Sequence, residues 1–530
     1  MATFAVAAAV TVLLLSQTAI LAASKTSCCM FIAVAILGWT IHRTYIRPRW
    51  LSPLRDLPRF KSGWPLICHG FSQFSEPRGE AYLRMIDSVP NQGLVYFQGF
   101  WGNDQILLTS PEGIAEVLVH RPVSFPKAPA AQGFLMRLLG KGAIPVAEGE
   151  EHKRLKKILM PAFSFRSIQD MVPTFWSKAI EMASAMEQAS HGTECSVDAW
   201  AMARRAMLDT IVMAAVGIDL NILREDNELL YLYDTAFNVN WRMVVFMTAN
   251  AIAPRWIVRI FLSSIITRMD TDMARLAAVC RRLVVNMDRG SSNGLPNSIL
   301  HRLAPSNLTT EELGTHLMTV VGAGFEPTAG AFTWALWFLA SHPQWQSKLR
   351  QELRENDFSR FLTGHGANFD ACETLAKSPI LNAVCSETLR LLPPSPIVTR
   401  VPPTDTTILG HFVPAGTRIF IVPGATNRMD RFYGPSANSF EPSRWIDPDS
   451  QKANKHGGAD TNYAFSTFLH GPRKCLGQSY VTWALRAFVA VFVGRFDFRM
   501  ANAGEVPVPC GVTTVRPRDG LRLALSPIRE

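Results

Sequence analysis

The sequence predicts a mainly α-helical protein with small β-sheets, built as one large catalytic domain behind an apolar N-terminal segment. Three observations carry this expectation. Most of the body spaces its apolar residues three and four apart, the period of a helix with one buried face. Residues rich in β-branched and aromatic side chains are confined to short patches at 93–109, 407–422 and 513–525, too few for a large sheet. One helical stretch is very long: Thr309-Thr-Glu-Glu312 forms a capping box, apolar residues run on to Ala340, and Ser341-His-Pro343 ends it. That stretch of about 31 residues is roughly 47 Å at the usual rise, so it is expected to cross the whole core.

The elements follow in chain order. Residues 2–24 carry no charge, long enough for the ~20 residues a membrane span needs. After Lys25 a second apolar stretch runs from Cys28 to Ile41, short for a full span. Arg43, Arg47, Arg49, Arg55 and Arg59 follow, and such a basic flank stays cytoplasmic. Leu21-Ala-Ala-Ser24 resembles a signal-peptide cleavage site, but no positive segment precedes it and a second apolar stretch follows. Residues 1–45 are therefore read as a membrane anchor with one or two spans. Residues 46–60, broken by Pro48, Pro53 and Pro58, are read as a stiff hinge, and residues 61–530 as the catalytic domain.

Composition agrees with this division. The 530 residues are 48% hydrophobic with a mean hydropathy of +0.09, high for a wholly soluble enzyme. The nine cysteines are odd in number and scattered, not a disulfide framework, which places the domain in a reducing compartment. The net charge of +10 is spread out rather than gathered in a tract, and no nucleic-acid module is present.

The chemistry is concentrated near the C-terminus, in Phe468-Leu-His-Gly471-Pro-Arg473-Lys-Cys475-Leu-Gly477. Cysteine binds metal as the thiolate, which needs positive or hydrogen-bonding surroundings. Arg473 and Lys474 precede the sulfur. Gly471 and Gly477 remove side chains where backbone would approach a flat cofactor closely. The apolar run from Leu476 to Val493 reads as a helix beginning at the cysteine, its unpaired N–H groups near the sulfur. Upstream, Ser378-Pro379 opens a helix carrying Glu387 and Arg390 on one face.

The decapeptide resembles the haem-ligand signature of the cytochrome P450 family, F-x-x-G-x-R-x-C-x-G, at every fixed position. Four weaker motifs follow the family's order. Ala323-Gly324-Phe325-Glu326-Pro327-Thr328 resembles its oxygen-binding stretch, except that Pro327 stands where threonine is usual. Glu387, Arg390 and Arg444 resemble its E-x-x-R pair and the later arginine. His152 and Lys156, before Pro161-Ala-Phe163, stand at its W-x-x-x-R positions.

The resemblance implies a cytochrome P450 fold, an α-helical haem domain, holding haem b with Cys475 as thiolate ligand. It implies a monooxygenase that uses O2, two electrons and two protons to insert one oxygen atom into a C–H or C=C bond. Arg473, Lys156 and His152 would bind propionates, Phe468 would pack beside the sulfur, and Gly324 would leave room for a diatomic ligand. Glu387, Arg390 and Arg444 would form a buried structural triad. Glu326 and Thr328 are the expected proton relay, through a water held by an Ala323 carbonyl that Pro327 frees. Phe134, Ala323, Phe325, Ile397 and Val398 are expected to line the substrate pocket, with the apolar 241–266 region above it.

Electrons would come from NADPH through a cytochrome P450 reductase docking on the basic face near Cys475, with cytochrome b5 as an optional second donor. The expected location is the endoplasmic reticulum membrane, with the catalytic domain in the cytosol. A lipophilic substrate, a terpenoid or polyketide intermediate of secondary metabolism, fits the apolar pocket; fatty-acid hydroxylation is the rival. The missing threonine leaves open an O2-independent haem-thiolate isomerase or dehydratase acting on oxygenated lipids.

Overall fold

The computed structural model describes residues 25–528, apart from 62, 65, 191–195, 238–240, 290–297 and 357–370. The apolar stretch 2–24 lies outside the described residues. Helix α1, Lys25–Ile41, carries a bare apolar surface: Met30, Phe31, Val34 and Leu37 are all more than half exposed. Among the described residues no helix is long and apolar enough to cross a membrane.

The chain continues past Ile41 as a π-helical stretch, His42–Leu51, that takes Pro48 inside it. A π-helix pairs each N–H with the carbonyl five residues back, so Pro48 leaves the Arg43 carbonyl without its partner. The Gln98 side-chain amide reaches that carbonyl at 3.4 Å instead. Arg47 then pairs with Asp104 at 2.8 Å, and Leu54 and Leu57 are buried beneath the nearby sheet. The segment 46–60, expected as a hinge, is thus docked on the domain, because its apolar residues and one arginine find partners there.

The strands are short, as their patches predicted. Strands β1 (Leu94–Gln98) and β2 (Asp104–Leu108) pair antiparallel, with Leu94 opposite Leu108. Strand β3 is Ser196–Asp198, β4 Val398–Arg400, β5 Thr406–Ile408, β6 His411–Val413 and β7 Arg418–Ile421. Strand β8 is Phe496–Met500, β9 Pro509–Cys510, β10 Arg516–Pro517 and β11 Arg522–Pro527. The largest sheet runs β1-β2-β7-β4, with β2 and β7 parallel; β3-β11-β8 form a second sheet and β5-β6 and β9-β10 two ribbons.

The rest is mainly helical. Helix α2 is Pro129–Leu139 and α3 is Gly149–Leu159. Helices α4 (Val172–Ser190) and α5 (Ala199–Val216) pack in the main core. Helix α6 (Trp241–Ile252) is separated by Pro254 from α7 (Arg255–Phe261). The long helix is present as two abutting segments, α8 (Thr310–Gly324) and α9 (Glu326–Ser341), with the capping box formed at Thr309. Helix α10 is Pro379–Leu391, where Ser378-Pro379 predicted it. Helix α11, Gln478–Arg495, is buried without a break from Ala487 to Val493, so it is a central element with no solvent face there.

Candidate active site

Cys475 sits in the loop before α11, which begins three residues later than the sequence suggested, with Gly477 as its cap. The Cys475 amide donates to the Phe468 carbonyl at 2.9 Å, closing the loop on itself. The thiol is open to solvent, yet burial pushes its pKa up. The two facts agree if the sulfur stands in a recess: solvent reaches it from one side while protein on the others holds it away from bulk water. The Gly477 N–H and Lys474 act the other way and favour the thiolate.

The two glycines of the loop differ. A Cβ on Gly477 would meet only the Cys475 sulfur, at 3.9 Å, so Gly477 leaves the space beside the sulfur free of side chain. Gly471 has φ +70° and its missing Cβ would strike the Leu118 carbonyl. Its requirement is backbone packing, a correction to the expectation of close approach to a cofactor. Phe468 is partly buried against the main core, its ring 6.3 Å from that of Phe465.

Beside this loop the fold gathers cations. Arg473 donates to the Ala147 carbonyl at 2.7 Å and pairs with Glu148. Lys127 reaches the same carboxylate at 3.0 Å, and Lys156 donates to the Pro472 carbonyl at 2.9 Å. Arg400, 5% exposed, extends from β4 beside Lys127. Burial and then Arg473 lower the Lys127 pKa to about 8, and burial lowers that of Arg400 to about 10. Burial, then Arg473, Lys127 and Lys156, hold His152 at about 4, so it is neutral at pH 7. Three cations, Lys127, Arg400 and Arg473, act on Glu148, with Lys156 beside them. A half-buried cluster with such an excess of positive charge fits a bound dianion, and the two propionates of a haem are one. The sequence pointed to His152, Lys156 and Arg473 but missed Lys127 and Arg400, whose burial is set by distant elements.

Glu387, Arg390 and Arg444 come together in a dry network. Arg390 binds Glu387 through two bonds of 2.8 Å, and Arg444 Nε reaches Glu387 Oε1 at 3.0 Å. Trp445 Nε1 adds a bond of 2.7 Å, and the remaining Arg390 donors reach the carbonyls of Asn427, Ala437 and Ser439. Every partner that burial demands is supplied. Asn427 extends the network to the cysteine loop: its amide donates to Thr467 at 2.8 Å and its carbonyl accepts from the Ser466 N–H at 2.9 Å. No sequence motif singled out Asn427.

Between His316 and Leu336, the middle of the α8–α9 pair, the side chains with access to open space are Val320, Ala323 and Pro327, one stripe at helical spacing. Three expectations need correction here. A Cβ on Gly324 would come within 2.8 Å of Ile211, so this glycine admits α5 and does not make room for a ligand. Phe325 is 1% exposed and packs edge-on to Tyr233 at 5.2 Å, inside the core and away from any pocket. Thr328 is fully buried and its hydroxyl donates to the Gly324 carbonyl at 2.6 Å, so it closes the helix rather than relaying protons. Helix phase is the reason: these residues lie 100° or more around the axis from Ala323.

Glu326 is 5% exposed and its Oε2 has no hydrogen bond. Burial pushes its pKa up to about 7, against the opposing pull of Thr514, Arg516 and Arg204. The accessible surfaces of Phe134, Ile397 and Val398 join Ala323 and Pro327 as partly open apolar positions. Among the described residues no group of three or more metal-ligating side chains occurs, so a metal here would have to arrive with its own ligands, as haem iron does.

An enclosed thiol supported by an amide, an anion-seeking cradle and an apolar helix stripe define a haem-thiolate enzyme. Comparison with known proteins gives the same answer: residues 58–522 match the family model for cytochrome P450, and the chain belongs to that family. It is similar to the cytochrome P450 monooxygenase abl5 of Leptosphaeria maculans, 38% identical over 93% of this chain and 92% of the relative. It is also similar to the monooxygenases ptmK of Penicillium ochrochloron, 33% identical over 92% and 96%, and sphH of Aspergillus fumigatus, 32% identical over 92% and 91%. The protein is a cytochrome P450 monooxygenase, an oxidoreductase.

Proposed function

We propose that this chain inserts one atom of O2 into a lipophilic terpenoid or polyketide intermediate, with Cys475 as the residue that would hold the haem iron. The observation that carries the reading is the accessible but enclosed Cys475 thiol beside the Gly477 N–H. Haem bound there supplies O2 binding and reductive activation, and the thiolate's charge favours O–O cleavage. Lys127, Lys156, Arg400 and Arg473 would hold the propionates, with neutral His152 as a hydrogen-bonding partner. Glu326, with Oε2 lacking a partner and its carboxyl neutral for part of the time near pH 7, would hold a proton at the edge of the site. Ala323, Pro327, Phe134, Ile397 and Val398 exclude water and orient an apolar substrate.

Electrons are assigned to NADPH through a flavin reductase, attracted by the basic residues around Lys153, Lys157 and Lys474, and the site of action to the cytosolic face of the endoplasmic reticulum membrane. The exposed apolar surfaces of α1 and α7 support membrane association. The fungal relatives carry the name monooxygenase, which favours oxygen insertion over the O2-independent alternatives. Reduction under carbon monoxide is the test. The Soret band expected of thiolate ligation should appear in the full chain and vanish in Cys475→Ser, together with product formation; a variant that kept both would refute the assignment.

A further inference from the structure

The turn between β1 and β2 holds one residue in a conformation that its side chain disfavours. Trp101 has φ +59° and ψ +26°, the left-handed region that bulky residues seldom adopt. Such a backbone persists only where its surroundings fix it. Four contacts do so here. The Trp101 N–H donates to the Leu66 carbonyl at 2.6 Å. Its carbonyl accepts from Arg43 Nε at 3.1 Å. Its ring lies 5.7 Å from that of Trp39 on α1. Its indole N–H donates to the carbonyl of Ile252, the last residue of α6, at 2.7 Å. That carbonyl has no helical partner, because Pro254 is extended at ψ 143° and the helix cannot continue through it. Gly102 permits the close approach: its φ is +62° and its missing Cβ would strike the Arg43 carbonyl.

The segment held in this way packs on a helix that borders the open stripe. Met243 and Phe246, three apart on α6, are buried, and Arg137 of α2 stacks on the Phe246 ring at 5.3 Å. The same Arg137 pairs at 2.7 Å with Asp270, on the helix Ser263–Arg289 that follows α7. Helix α2 carries Phe134, and a Cβ on Gly140 at its end would sit 3.5 Å from Thr315 of α8. Helices α6 and α7 thus form a flap against α2, with the end of α6 tied to Trp101. Trp256, Ile260 and Phe261 are 65%, 63% and 77% exposed, so much of the apolar surface of α7 lacks packing that would hold it down. Arg43 with Asn103 at 2.6 Å, and Arg47 with Asp104 at 2.8 Å, pin the stretch after α1 to the same hairpin. We propose that Trp101 is a latch joining this flap to α1, and that its release sets how fast a bulky apolar ligand enters and leaves the site. The proposal rests on the functional reading for what the site receives, but the latch itself does not depend on it.

The test uses the full-chain holoenzyme in phosphatidylcholine nanodiscs. N-dodecylimidazole and imidazole, which ligate haem iron and shift its Soret band, are followed by stopped flow. Trp101→Phe keeps a ring beside Trp39 and deletes the indole donor. The association and dissociation rates of dodecylimidazole should both rise about fivefold, the size of one neutral hydrogen bond. Its Kd should stay within about twofold, because the latch is the same with the site empty or filled, and the imidazole rates should not move. Hydrogen exchange across 241–261 in the unliganded protein should rise by a similar factor in Trp101→Phe and in Trp39→Ala, which keeps the donor and loses only the ring contact to α1. Unchanged exchange in either variant would overturn the proposal, as would a shifted Kd or shifted imidazole rates, which would mean that Trp101 acts on the site through packing. Should Trp101→Phe fail to fold, the exchange rates and dodecylimidazole rates of Trp39→Ala decide alone. If the parent bound neither imidazole, the haem-thiolate reading would fail, while the exchange comparison would still decide the latch.

Discussion

Glu326→Gln asks what the buried acid does and gives an answer in numbers. Burial lifts the carboxyl from its ordinary 4.5 to about 7, so the folded protein binds this proton more tightly than the unfolded chain. Below pH 4.5 both states are protonated and folding loses nothing. Between 4.5 and 7 the folded state holds more protons, and stability falls as pH rises through that window. Above 7 the loss is complete, about 2.5 pKa units or ~3.4 kcal/mol. An unfolding entropy of about 2.1 cal/mol/K per residue gives this chain of 530 residues about 1.1 kcal/mol/K, so the effect is ~3 °C in thermal midpoint. Glutamine stays neutral at every pH. At pH 8 the variant should therefore melt ~3 °C above the parent, and at pH 5.5 the gap should shrink to under half, about 1.4 kcal/mol. Scanning calorimetry at the two pH values reads both. A variant less stable at pH 8, or a gap that ignores pH, would mean that Arg204 and Arg516 keep the acid ionised. If Glu326 also supplies protons, product formed per NADPH should fall in the variant and hydrogen peroxide rise.

Glu387→Gln leaves Arg390 and Arg444 buried beside a neutral group, and urea unfolding should show a loss of about 3–5 kcal/mol, with haem retention falling alongside. Gly324→Ala should cost about 1–3 kcal/mol by overpacking Ile211, with the loss recovered in part by Ile211→Val; altered carbon monoxide affinity at unchanged stability would instead return Gly324 to the cofactor face. Gly471→Ala should fail to fold, since its φ is positive and the Leu118 carbonyl fills the space, and a soluble, haem-loaded Gly471→Ala protein would contradict that.

Much of this architecture was legible because it is local. A proline at the first turn after a serine, a threonine with glutamate three residues on, and β-branched runs between glycines each act within a few residues, and α10, the capping box and the β1–β2 pair appear where those signals lie. The triad was legible for a different reason: Glu387 and Arg390 share a face at a spacing of three, and the resemblance supplied Arg444. What stayed hidden depends on distant parts of the chain. Lys127 and Arg400 meet Arg473 only because a bridge joins Lys127 to β4. Asn427 links α10 to the cysteine loop through bonds to Thr467 and Ser466, across some forty residues. Pro48 reads as a breaker because nothing in the sequence shows that the helix can widen to a π register and pass it. The groups that act on Glu326 arise likewise from distant places, Arg204 from α5 and Thr514 and Arg516 from β10 and the turn before it.

The oxygen-binding stretch shows how a motif can be matched in letters and still be assigned to the wrong atoms. Counting from Ala323, successive residues turn 100° around the helix. Ala323 and Pro327 therefore point one way, Gly324 and Thr328 another, and Phe325 nearly opposite. The packing obeys that geometry: open space at Ala323 and Pro327, Ile211 against Gly324, Tyr233 against Phe325. Proline at 327 thus places a ring with neither hydroxyl nor N–H on the open side, and the next hydroxyl, at Thr328, is turned into the core and bonded to the Gly324 carbonyl. The hydroxyl one turn earlier on the same side, at Thr319, is buried and bonded back to the Thr315 carbonyl. The one titratable group in the same turn is Glu326, about 60° from Ala323 on the other side, with a carboxyl oxygen lacking a partner and arginines behind it. On the proposed reading, a proton moving from the protein exterior to the open stripe would have the Glu326 carboxyl as its last protein position, because Pro327 offers no hydroxyl there.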